Sequence, residues 1–178
     1  GSFSYWANYN QSMKPTSKNL NNYAEAGLSY NGRNFGFVLD LANIGKNYYT
    51  DMGFVQRINN YDAERDTSIR IGFKQVFSEV SYTLMPAKGK IGKSELTVQN
   101  FIVFNPDNSF NELENKLQLK TDFKNASSFN LSLSNNITNL LFPTSFTNGT
   151  PLPAKQYQYG QFRFNYVSDT RKLFGWVS

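Results

Sequence analysis

Two-residue alternation of apolar and polar side chains, sustained over runs of about 9–12 residues, commits most of this chain to β-strands with one dry face and one wet face. In residues 2–10, Phe3, Tyr5, Ala7 and Tyr9 oppose Ser4, Trp6, Asn8 and Asn10. After Tyr23, residues Ala24, Ala26, Leu28 and Tyr30 share a face, Asn31-Gly32 fits a type I′ hairpin turn, and Phe35, Phe37, Leu39 and Leu41 return. A long segment, residues 45–64, interrupts the pattern. Ile69, Ile71 and Phe73 resume it, Phe77-Ser78 is expected to turn the chain, and Val80, Tyr82 and Leu84 lead to a loop over residues 86–94. Leu96, Val98, Ile102 and Phe104 run into Asn105-Pro106-Asp107-Asn108, where Pro takes the second place of a type I turn. Leu113, Leu117 and Leu119 follow, then a short turn at 124–126, then Phe129, Leu131 and Leu133. A Pro/Thr/Gly-rich loop over 139–155 precedes Tyr157, Tyr159, Phe162, Phe164 and Tyr166, whose change of parity at Gly160 predicts a bulge. Ser168-Asp169-Thr170 turns into a last strand-like run at 172–177. The expected fold is all-β, an antiparallel meander of about ten strands, in a single domain over residues 1–178.

Composition narrows the chemistry. With no His and no Cys, the 178 residues lack the commonest zinc, haem and iron–sulfur ligands, the His-dependent nucleophile systems and any disulfide framework. No metal, no cofactor and no enzymatic activity are expected, Asp and Glu being the only candidate acid–base groups. The 18 Lys and Arg against 13 Asp and Glu give a net charge of +5, but the cations are scattered and form no stripe, so nucleic acid is not an expected partner. The chain is instead rich in Asn, with 11 Tyr and 16 Phe, which favours strands and turns over helices. No run approaches the roughly 20 apolar residues of a spanning helix, so any membrane crossing must be made by strands.

Alternation alone does not say whether the dry face meets a protein core or lipid. Three features favour lipid. The runs match the ~9–11 residues of a tilted spanning strand and exceed the usual ~5–6 of soluble ones. Tyr5, Trp6, Tyr9, Tyr48, Tyr49, Tyr157 and Trp176 lie near segment ends, as interfacial girdles do. The wet face is mostly small and uncharged, with sparse charges such as Glu25, Asp40, Arg70, Lys74 and Glu79. Long and short connections alternate over the first five strands and lose the alternation after Asn105, which a miscounted strand or a hairpin extending past the membrane would explain. The net charge points to a lumen tolerant of anions. The alternative is a soluble β-sandwich or small barrel that binds a carbohydrate or other small ligand through Tyr, Trp and Asn.

Other candidate chemistry has a bland counterpart. Residues 87–94 end in Gly92-Lys93-Ser94 like a phosphate-binding loop, but strand-forming Glu95-Leu96-Thr97-Val98 follows where that motif needs a helix, so a basic surface loop is expected. Asp62, Glu64 and Asp66, and again Asp107, Glu112 and Glu114, have the spacing of a cation site or a carboxylate pair. Arg57, Arg65 and Arg70 near the first set favour structural ion pairs.

Residues 49–61, Tyr-Thr-Asp-Met-Gly-Phe-Val-Gln-Arg-Ile-Asn-Asn-Tyr, resemble the signature of the DUF5916 family of Bacteroidota proteins: an aromatic, an acidic residue, Gly-Phe, then Arg and a Tyr leading into a strand. The resemblance implies an outer-membrane β-barrel that follows a periplasmic carbohydrate-binding module of the family 9 type. It also implies a bacterial outer-membrane location, with the lipid bilayer, a glycan and other outer-membrane or periplasmic proteins as partners. The 178 residues contain no signal peptide, carbohydrate module or terminal aromatic strand end beside the motif, so they are expected to be a fragment of a larger barrel. Within the motif Tyr49, Asp51, Gly53, Phe54 and Arg57 are the candidate site residues. Gly53 would supply a positive φ, and Arg57 would pair with Asp51.

Overall fold

A computed structural model of the chain describes residues 1–12, 21–50, 57–145, 149–169 and 171. Ten strands form, with no helix among the described residues: β1 (Ser2–Gln11), β2 (Asn22–Asn31), β3 (Phe35–Ile44), β4 (Asn59–Asp62), β5 (Thr67–Arg70), β6 (Phe73–Leu84), β7 (Ile91–Phe104), β8 (Phe110–Phe123), β9 (Ser128–Asn139) and β10 (Gln156–Val167). Eight of them make one antiparallel meander in the order β1-β2-β3-β6-β7-β8-β9-β10, while β4 and β5 pair as a separate hairpin. The sheet is open, and β1 and β10 are its edges.

The register makes the alternation a property of the whole sheet. Phe3, Tyr30, Phe37, Val80, Val98, Leu117, Leu133 and Phe162 stand in line across all eight strands. A parallel line runs Phe35, Tyr82, Leu96, Leu119, Leu131, Phe164, and another Leu41, Val76, Ile102, Leu113, Ile137. All point to one face. The opposite face carries Ser, Thr, Asn, Gln and charged residues, except at one end.

At that end the described residues of the inserted segment, 45–50 and 57–72, meet the polar face through Tyr48 and Ile58. Ala42, Ile44, Phe73 and Val103 share the polar-face parity and pack there with Ile58 of the insertion, flanked by Tyr23, Tyr48 and Phe101. Ile58 is 1% exposed. The only buried apolar cluster among the described residues is thus on the side the pattern marks as wet.

Several expectations are corrected. Phe77-Ser78 is no turn: β6 runs unbroken through it, with Phe77 opposite Asp40 and Phe101. No Gly, Pro or Asn-Gly marks that dipeptide as a turn, and the apolar Phe73 and Phe77 belong to the end that the insertion covers. Ile69 lies in β5, outside the main sheet. The loop expected over 86–94 ends at Lys90, because β7 begins at Ile91. Neither Asn31 nor Gly32 has a positive φ, so the 32–34 connection is not type I′. Gly32 is required for space: a Cβ there would stand 2.8 Å from the Tyr30 ring and 2.9 Å from the Phe35 oxygen. Gly160 sits in an unbroken β9–β10 ladder with no bulge. Tyr157 and Tyr159 simply face the polar side, and the irregularities of register lie in β7–β8, between Ile91/Lys93 and Val103/Phe104.

With the turn at 77–78 removed and β4 and β5 set apart from the main sheet, the connections sort by end. Residues 32–34, 85–90 and 124–127 close one end, and 12–21, 45–72, 105–109 and 140–155 the other. Three of the four at the second end are long. The turn at Asn105 forms as expected, with Asn108 N–H donating to Asn105 O at 2.9 Å. Residues 172–177 lie outside the described residues.

Candidate functional site

The candidate motif is the first part of the insertion. Asp51, Gly53 and Phe54 lie outside the described residues. Tyr49 and Arg57 are placed, each in a different contact. The Tyr49 ring lies under the Arg70 guanidinium, 4.0 Å from its carbon. Arg70 also donates to the carbonyls of Lys46 at 3.0 Å and Tyr48 at 2.6 Å, and to Asn59 Oδ1 at 3.3 Å. One guanidinium, with its fixed fork of donors, thereby ties β5 to the strand of chain leaving β3.

Arg57 holds a left-handed backbone, φ 66°. Its guanidinium pairs with Glu112 on β8 and stands 5.0 Å above the Phe101 ring of β7. Burial pushes its pKa below the ordinary value, and the charges of Glu114 and Tyr159 work against that shift. Arg57 therefore anchors the insertion to the polar face of β7 and β8. The sequence pattern did not point to this partner, since Glu112 lies 55 positions away in number and only the register brings the two together.

The acidic sets act structurally. Asp62, 2% exposed, accepts from the amides of Glu64 and Arg65 and from Arg65 Nη1 at 3.1 Å. Asp66 accepts from the Tyr61 hydroxyl at 2.7 Å, which raises the pKa of that phenol. Asp107 caps Ser109, while Glu112 belongs to Arg57. No group of three acidic side chains among the described residues is placed to hold a metal ion. In the 87–94 segment, β7 follows the turn directly, so no helix N-terminus faces it.

Two surfaces remain. On the polar face, Glu25, Asp40, Glu79, Glu95, Glu112, Glu114 and Asp122 outnumber Lys93, Lys116, Lys120 and Arg163. The surplus positive charge of the chain is therefore not on this face. Trp6 crosses it to give its indole N–H to Asp40 at 3.2 Å. The ring passes over Gly27, where any Cβ would stand 2.2 Å from it.

The apolar face has no covering layer among the described residues, and large side chains project from every strand: Phe3 is 72% exposed, Tyr5 89% and Phe162 69%. One polar line crosses it, Ser78, Asn100, Asn115 and Asn135, with Asn135 Oδ1 accepting from Gln158 at 3.0 Å. Toward the short-turn end the face becomes aromatic. Phe3 and Tyr30 rings are 4.7 Å apart, Phe35 and Phe37 are 6.2 Å apart, and Phe123 and Phe129 are 6.1 Å apart; Tyr82, Phe164 and Tyr166 share this zone.

The aromatic zone at this end of the apolar face has other members than the rings named from the sequence. Tyr5 and Tyr9 lie on the apolar face. Trp6 and Tyr157 face the polar side, Tyr48 stacks on Tyr23 in the core, Tyr49 serves Arg70, and Trp176 lies outside the described residues. The sequence signal was proximity to segment ends, which ignores the face on which each ring stands. No family model matches this chain, and no curated protein and no solved structure is similar to it.

Proposed function

We propose that this chain is a non-catalytic segment of an outer-membrane-type β-barrel. Its apolar face meets lipid, and its polar face and long-loop end serve the passage of a solute or glycan, or its retention at the cell surface. The observation that carries this is the line of eight apolar side chains, one per strand of the main sheet, on a face with nothing over it among the described residues. In water such a face is an aggregation surface, whereas a bilayer requires it.

Three further features support the assignment. Along β6 the apolar side chains span residues 76–84, about 26 Å of strand, or about 20 Å along the normal at a tilt of ~40°, close to the ~25 Å band of such barrels. Short turns gather at one end and long connections at the other, as in outer-membrane proteins. The edge strands β1 and β10 run to ten and twelve residues and, among the described residues, present unpaired backbone, which in a bilayer only further strands or barrel closure would satisfy. A soluble sandwich needs its second layer on the apolar side, and here the one small hairpin packs on the other. The lack of a long apolar helix among the described residues has no bearing on strand crossing.

The resemblance of residues 49–61 to the DUF5916 signature is consistent with this and adds an outer-membrane location, with a glycan and other envelope proteins as partners. The test is circular dichroism and size-exclusion chromatography of the purified chain with and without nonionic micelles. Sheet structure that depends on micelles is the expected result. A folded, monodisperse monomer in plain buffer would turn the apolar face inward and refute the assignment.

A further inference from the structure

The short-turn end has a charge character of its own. Its three connections carry Arg33, Lys88, Lys90 and Lys124 and no carboxylate, whereas the insertion at the opposite end mixes both signs. Two of these connections are joined: Lys124 N–H donates to Lys90 O at 2.9 Å, and Lys124 Nζ to Ala87 O at 3.2 Å. Between them and β10 opens a cleft of about 670 Å³, lined by Gly89, Lys90, Phe123, Lys124, Asn125, Ser127 and Tyr166.

The lining is graded. Phe123 and Tyr166 come from the aromatic end of the apolar face, and Lys90 and Lys124 stand at the rim beyond them. Lys124 Nζ, with one N–H on Ala87, keeps two. Asn125 turns its oxygen to Ser127, accepting from the Ser127 amide at 3.2 Å and hydroxyl at 2.7 Å, which leaves its NH₂ to donate outward. No acidic side chain among the described residues lines the cleft. Apolar ring, then amide, then ammonium is the order of chemistry met on passing from acyl chain to phosphate in a bilayer leaflet.

We propose that this cleft binds the headgroup of an anionic phospholipid, Lys90 and Lys124 pairing with its phosphate while Phe123 and Tyr166 meet the first methylenes of its chains. The inference rests on the bilayer assignment above and adds a lipid class and a site to it. A free phosphate ester offers the same anion but no use for the aromatic floor.

The full chain, folded in nonionic micelles as judged by circular dichroism, is mixed with phosphatidylglycerol, phosphatidylcholine or inorganic phosphate, and bound species are read by native mass spectrometry. Phosphatidylglycerol is expected to be retained over phosphatidylcholine. Retention should fall about 30-fold in K90Q/K124Q, about fivefold for each ammonium, and stay at the wild-type level in K116Q/K120Q, which removes equal charge from the polar face. Millimolar inorganic phosphate should not displace the lipid. Equal retention of the two lipids, unchanged binding by K90Q/K124Q, or full competition by inorganic phosphate would overturn the site while leaving the bilayer assignment standing. A folded monomer without micelles would overturn both.

Discussion

Two hairpin turns on this sheet are built alike although their sequences differ. In Asn105-Pro106-Asp107-Asn108-Ser109 and Phe123-Lys124-Asn125-Ala126-Ser127, the fourth residue donates to the first, the first to the fifth, and the third side chain caps the fifth. Each fourth residue is left-handed, Asn108 at φ 67° and Ala126 at φ 63°. Asn tolerates that region; Ala strains in it. Ala126→Gly is expected to stabilise the protein by about 0.5–1 kcal/mol, strain relief exceeding the added chain entropy, and Ala126→Val to destabilise it, as read by urea titration in micelles. In the first turn, the Ser109 hydroxyl and amide hold the Asp107 carboxyl below its ordinary pKa. A depressed folded pKa means stabilisation that is present above the unfolded carboxylate value and lost as pH falls through the folded one. The protection factor at Ser109, exchange read against the intrinsic amide rate at each pH, should therefore fall on acidification below the usual carboxylate range. Asp107→Asn, which keeps the acceptor oxygen, should remove that dependence; an unchanged pH profile would contradict the cap.

The inserted hairpin, β4 and β5, lies outside the main sheet, tied to the 140–155 connection by the Ala63 N–H on Pro143 O at 2.8 Å. Ile58 is its contribution to the buried cluster, with Arg57 on Glu112 and Arg70 on the carbonyls of Lys46 and Tyr48 as polar ties. Ile58→Ala should cost about 2–4 kcal/mol locally, seen as faster hydrogen exchange in β4 and β5 with β7 and β8 unchanged; collapse of the whole sheet would contradict a separable insertion. This element also marks where the sequence was legible. β1, β2, β3, β8 and β9 are legible because most of their large apolar residues share one face, interrupted by the polar line through Asn115 and Asn135 and, in β3, by Ala42 and Ile44 on the other face; their existence and facing follow from pattern. Phe73, Val103 and Phe101 break it because the insertion covers the polar face there, and a covered wet face looks like a second dry one. That conflict produced the false turn at Phe77-Ser78 and, through it, the apparent loss of loop alternation. In the candidate motif, Tyr49 and Arg57 proved to be placed by Arg70 and Glu112, partners set by long-range register that no local spacing encodes.

At the scale of the molecule, two quantities divide between faces and ends. Hydrophobicity divides by face, with an apolar surface crossed by one polar line on one side and carboxylate-rich polar chemistry on the other. Charge divides by end, with Arg33, Lys88, Lys90 and Lys124 alone on the short turns. Both divisions are what a sheet needs to sit in a bilayer with its turns at the phosphate level. The absence of Cys from the sequence makes the direct test simple, since any introduced Cys is unique. Single-Cys variants at Leu117 and Gln118 on β8, and at Leu133 and Ser134 on β9, would be spin-labelled and reconstituted in bilayers. Relaxation by oxygen, which concentrates in lipid, would be compared with relaxation by a water-soluble nickel chelate. The account predicts oxygen access at 117 and 133, nickel access at 118 and 134, and a strict two-residue alternation between them. Nickel access at 117 and 133, or protection of both from either reagent, would contradict it.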